Sequence, residues 1–270
     1  MTDSGYGAKH RSLVGVIAWR ASALLFALSW AILPGFGLID LAVTWGDPPG
    51  FTPLAGLAAG WGLLTTCMVA VPFALIALTR LHPAPMVALL FLVGLVLLLA
   101  SVAALDWRPA VLALAIWTQL ALLSLRWRGR PSSQWRRSFA VDYPLVMAAI
   151  LGVPAWTTYA GIAAVNAILN APGDTTIGIS HWPVQAAFAL AVAGCVAVAA
   201  GWPRGRRLFT LVAGIASCWF GVTSIRYPDS VGATSAFWSA MSILWGIAVG
   251  ILGHLAASPE PTTQIESTHV

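Results

Sequence analysis

Arg126-Trp127-Arg128-Gly129-Arg130-Pro131-Ser132-Ser133-Gln134-Trp135-Arg136-Arg137 is the one long basic interruption in an otherwise apolar chain. Apolar runs of membrane-crossing length flank it on both sides, and its charge fixes which way they face. The chain has 270 residues, of which 59% are hydrophobic and 9% charged, and its mean hydropathy is +0.84. A soluble domain carries about 25% charged residues to cover its surface. A bilayer removes that need, and about 20 apolar residues suffice for a helix to cross its hydrocarbon. The reading is therefore an all-α, polytopic membrane helix bundle, with one integral domain over 1–257 and a polar, disordered cytoplasmic tail over 258–270.

Outward from the basic stretch, turn residues divide the apolar sequence. Asp47-Pro48-Pro49-Gly50, Arg80-Leu81-His82-Pro83, Asp106-Trp107-Arg108-Pro109, Trp202-Pro203 and Arg226-Tyr227-Pro228-Asp229 are all helix-breaking. They predict eight transmembrane helices over 18–42, 54–79, 85–105, 110–125, 143–168, 183–201, 208–225 and 236–256. The first follows a short basic segment without a clear cleavage site, so it reads as an uncleaved span.

Charge orients this set. With the N-terminus inside, twelve of the 14 basic residues fall on the cytoplasmic side, and only Arg108 and Arg226 fall outside. Asp40, Asp47, Asp106, Asp174 and Asp229 fall on the outer side. By the positive-inside rule both termini are cytoplasmic, and the expected location is a bacterial plasma membrane. The net charge of +5 is thus a topology signal, and no nucleic-acid module accompanies it. Tryptophans at the expected helix ends, among them Trp45, Trp107, Trp182 and Trp238, fit an interfacial belt.

The halves echo each other. Pro34 and Pro154 stand 120 residues apart, as do Pro83 and Pro203. A duplication would make them two parallel four-helix halves, but recurring turns alone give the same pattern.

Ionisable groups inside a membrane are costly and mark function; this chain has almost none. Asp40 follows Pro34-Gly35-Phe36-Gly37, a break able to unwind helix one. Asn166, Gln185, Gln119, Thr65, Thr66 and Tyr159 are the other polar groups within spans. With Asp40, the substrate-binding candidates are Asn166, Gln185, Arg108 and Arg226, the two arginines as binders of an anionic headgroup. The outer connection from Asn166 to Gln185 holds Asp174 and His181. Together with Asp47 these are the candidate catalytic residues, through a carboxylate–imidazole pair. No HExxH, GxSxG or CxxC occurs, and no glutamate precedes Glu260. The sequence assigns no metal and no cofactor.

Three functions remain open. The first is a small permease- or flippase-like protein for a neutral or amphipathic compound. The second is a non-catalytic subunit of a larger membrane assembly. The third is a membrane enzyme with an outer-face Asp/His site. The bilayer is the assured partner, with other membrane subunits or a homo-oligomer suggested by the GxxxG spacings Gly56–Gly60 and Gly246–Gly250. A carrier predicts a polar cavity between helices one and five, reached by Asp40 and Asn166.

Overall fold

The computed structural model describes residues 4–46, 52–79, 83–126 and 139–256. Asp47, the basic stretch 127–138 and the tail 258–270 lie outside the described residues. Eight helices are long and apolar enough to cross a membrane, and the chain is a multi-pass integral membrane protein with an all-α bundle.

In chain order the helices are α1 (Ser4–Ala31), α2 (Gly37–Gly46), α3 (Ala55–Gly62), α4 (Val71–Leu78), α5 (Ala84–Ala103), α6 (Arg108–Arg126), α7 (Tyr143–Ile168), α8 (His181–Gly201), α9 (Pro203–Arg226) and α10 (Ala236–Leu255). α3 and α4 are one span, joined by a π-helical stretch, Leu63–Ala70. That span, α8 and α9 are the most enclosed; α1, α6 and α10 are mostly peripheral.

The connection between α7 and α8, expected as a loop, folds back as a hairpin. Thr175 pairs with Ser180 and Thr176 with Ile179. Ile177 and Gly178, the two turn residues, both have positive φ, which matches the twist of a two-residue hairpin. The hairpin marks one end of the bundle. At the opposite, basic end, Arg206 is buried. It donates to the carbonyls of Ala199 (3.1 Å), Ala256 (3.0 Å) and Ala140 (3.0 Å) and pairs with Asp142 at 3.5 Å. Asp142 in turn caps α7 by accepting from the Leu145 amide. One guanidinium thus ties the entry to α7, the end of α8 and the end of α10.

The first span is not the continuous helix expected over 18–42. α1 stops at Ala31 and α2 begins at Gly37. Contacts place this gap at mid-depth. The Trp30 indole donates to Gln119, about halfway along α6, and Gly37 faces Thr65 and Thr66, midway along span two. α1 packs on α4 and α2 on α3, so the two pieces make one crossing in sequence. Arg20 then lies ten residues before Trp30, about 15 Å at 1.5 Å per residue, near the edge of a ~30 Å hydrocarbon layer.

Pro154, the counterpart of Pro34 in the echo between the halves, does not interrupt its helix: α7 runs unbroken from Tyr143 to Ile168. The flanks explain the difference. Pro34 is followed by Gly-Phe-Gly, whereas Pro154 is followed by Ala-Trp-Thr-Thr, with no glycine to leave the helix through a left-handed turn. The two halves therefore differ where the resemblance between them was drawn.

Candidate functional site

The gap in span one begins with Pro34, which supplies no N–H to continue the α1 ladder. Gly35 lies so close to the Trp30 carbonyl that a β-carbon would collide with it. Phe36 then takes φ 56, a left-handed conformation that ends a helix. Gly37 restarts it, seated against the Thr65 and Thr66 hydroxyls with no room for a side chain. A glycine is required there by this approach.

Span two answers the gap. The Trp61 indole N–H donates to the Gly35 carbonyl at 2.8 Å. Below it the backbone widens into the π-helical Leu63–Ala70, a form found mostly as short stretches at functional sites. The Trp61 ring also stacks on His181, with centroids 4.8 Å apart and planes 19° from parallel. His181 Nε2 shares a 2.8 Å hydrogen bond with the Thr176 hydroxyl of the hairpin. One residue earlier on α3, Gly60 leaves the space that the Gln185 carboxamide fills. Gln185 Nε2 donates to the Tyr159 hydroxyl at 2.8 Å, and that hydroxyl donates to the Gly232 carbonyl in the α9–α10 connection.

Four polar atoms around this centre have no hydrogen-bond partner among the described residues: Asp40 Oδ2, Thr66 Oγ1, Gln185 Oε1 and His181 Nδ1. Their residues are only 9%, 8%, 0% and 1% exposed. Asp40 stands one turn beyond Gly37 on the same side of α2, and Asp174 lies within electrostatic reach of both Asp40 and His181. Buried polar atoms without partners cost about 1–3 kcal/mol each, so such a concentration calls for a ligand or water.

The structure sorts the residues singled out from sequence. Thr65 and Thr66 face the gap at Gly37, Trp61 links the gap to His181, Gln185 packs at Gly60 beside Trp61 and bonds Tyr159, and Asp174 reaches Asp40 and His181 electrostatically from the hairpin. Asn166 does not join them. α7 packs on α8 and α10 rather than on span one, and it contributes Tyr159 to the site. The Asp174 carboxylate accepts from the Thr175 amide at 2.7 Å, and its backbone carbonyl accepts from the His181 amide. His181 bonds Thr176 instead, and among the described residues no carboxylate hydrogen-bonds its ring. Asp47, the third catalytic candidate, lies outside the described residues. No group of three His, Cys, Asp or Glu able to hold a metal occurs among the described residues.

The two arginines at the hairpin end are separated. Arg108 pairs with Asp106 at 3.9 Å and, with Asp174 and Asn170, lines a cavity of about 600 Å³ between the α5–α6 turn, the end of α7 and the hairpin. Arg226 instead bonds the Trp45 carbonyl. Sequence reasoning passed over Trp61 and Arg206. The one signal for Trp61 was Gly56-x-x-x-Gly60 beside it, which was read as packing alone.

No family model matches the chain, and neither a curated protein nor a solved structure is similar to it.

Proposed function

We propose that the protein is a small permease-like carrier for a neutral or amphipathic compound, which binds at the gap in span one. The observation behind this reading is the set of four buried, unpartnered polar atoms grouped around a helix interrupted at mid-membrane. Interrupted helices at the bilayer midplane free backbone and side-chain groups to bind a solute, and irregular backbone at that depth is stable only where something polar meets it. A fixed structural subunit has no use for this arrangement.

The chemistry of the site points to the class of compound. Asp40 Oδ2 and Gln185 Oε1 accept hydrogen bonds, and the Thr66 hydroxyl accepts or donates. Trp61 supplies an aromatic wall. A molecule with N–H or O–H groups on an apolar body fits that combination. The 600 Å³ cavity beside Asp174 serves as its vestibule, with the hairpin end facing outward.

Thr66→Cys, in a chain with Cys67, Cys195 and Cys218 replaced by alanine, tests the proposal. A carrier exposes this position in turn to each side, so a membrane-impermeant maleimide added to sealed vesicles of either orientation labels it. Labelling from neither side in a correctly folded variant contradicts the reading and favours a static subunit.

A further inference from the structure

α9 and α10 are the most extensively packed pair in the bundle. They meet at glycines: a β-carbon on Gly214 would stand 2.7 Å from the Gly246 carbonyl oxygen, and the reverse holds for Gly246. Beside this crossing they leave an apolar furrow of about 380 Å³, whose walls include Leu211, Ile215, Trp219, Val222, Gly250 and Trp45. Nothing lies within 4 Å of where a Gly250 β-carbon would be, so the furrow is open there.

Its length is informative. Leu211 to Val222 is eleven residues, about 16 Å of helix at 1.5 Å per residue. That is about half of a ~30 Å hydrocarbon layer, hence one leaflet. At the hairpin end of the furrow stands Arg226, one turn beyond Val222. Its guanidinium lies 5.7 Å from the Trp45 ring centroid and 5.3 Å from that of Tyr227, and Nη2 donates to the Trp45 carbonyl at 3.3 Å. Among the described residues no carboxylate pairs with Arg226. A cation is thus held in place at the head of a leaflet-length apolar furrow, with no carboxylate partner among the described residues.

We propose that this furrow binds one acyl chain of an anionic glycerophospholipid, whose headgroup phosphate rests on Arg226. An α-helix, about 10 Å across with its side chains, needs far more room than 380 Å³; an extended acyl chain does not. Hydrophobicity cannot select one lipid from others in a bilayer. Close packing in the furrow and the charge at its head can. The site is separate from the gap in span one and does not depend on a transport activity.

The test uses the full chain in nanodiscs of mixed phosphatidylglycerol and phosphatidylethanolamine, with lipid retention read by native mass spectrometry. The wild type retains one phosphatidylglycerol. Arg226→Gln reduces the preference for it over phosphatidylethanolamine by about fivefold. Gly250→Phe fills the furrow and abolishes retention of both, with thermal unfolding unchanged. Gly250→Leu, a smaller filling, gives the same reading should the phenylalanine variant not fold. Equal retention of the two lipids by the wild type, retention unaffected by filling the furrow, or a dimer formed through this face with no lipid retained overturns the proposal.

Discussion

The Trp61 indole N–H donates to the Gly35 carbonyl at 2.8 Å, so span two holds the interrupted backbone of span one. The same ring stacks on His181, which links the gap to the hairpin. Trp61→Phe keeps an aromatic ring against His181 and removes the donor. We expect it to destabilise the protein by about 1–2 kcal/mol, and to speed hydrogen exchange at 33–37 far more than at other buried amides. Unchanged exchange there would show that the bond does not hold the gap.

Tyr159 joins Gln185 to the α9–α10 connection through one hydroxyl. Tyr159→Phe leaves the Gln185 carboxamide with neither end paired, since Oε1 already has no partner. The expected cost is about 1–3 kcal/mol, read as a lower midpoint of thermal unfolding. Gln185→Leu in the Tyr159→Phe background removes the orphaned amide and recovers part of that loss.

Arg206 is the lock of the basic end. Arg206→Ala leaves Asp142 without its cation and three carbonyls without their donor. A loss of about 3 kcal/mol follows, as for a buried pair broken from one side. Arg206→Lys rescues little, because an ammonium cannot span carbonyls of Ala140, Ala199 and Ala256 at once. Unfolding in a denaturant series for the three proteins checks the order wild type, Lys, Ala.

Glycines of the α9–α10 pair separate into two kinds. Gly214→Ala sets a methyl against the Gly246 carbonyl and is expected to cost about 1–3 kcal/mol by forcing the helices apart. Gly250→Ala meets nothing within 4 Å and is expected to be neutral or to gain up to about 1 kcal/mol from helix propensity. Comparing the unfolding of the two variants tests the crossing geometry.

Spans and their ends were legible because they depend on local chemistry: a run of apolar residues, then Pro, Gly or charge. Pro34-Gly35-Phe36-Gly37 was legible as a weak point for the same reason. What made it a site was not. The Trp61 side chain that closes the gap is 26 residues away, and the π-helical widening of Leu-Leu-Thr-Thr-Cys-Met-Val-Ala has no periodicity to betray it. Pro154 does not break α7 because a proline's effect rests on its neighbours, and no glycine follows it as Gly35 and Gly37 follow Pro34. Gln185 and His181 were visible as polar residues, but their meeting with Asp40 depends on how α2, α3 and α8 pack. Arg206 read as one more positive charge in a basic loop; only the fold buries it.

The most direct test of the interrupted span is Gly37→Ala, made in the wild type and in a Thr65→Ala, Thr66→Ala background. A β-carbon on Gly37 falls against both threonine hydroxyls, so the account expects the change to cost about 1–3 kcal/mol of stability in the wild type and much less once the two hydroxyls are gone. In a helix that ran on without restarting against span two, alanine for glycine would be neutral or would stabilise by up to about 1 kcal/mol. A Gly37→Ala protein as stable as the wild type, or a loss that is the same in both backgrounds, would contradict a helix that stops at Ala31 and restarts against Thr65 and Thr66.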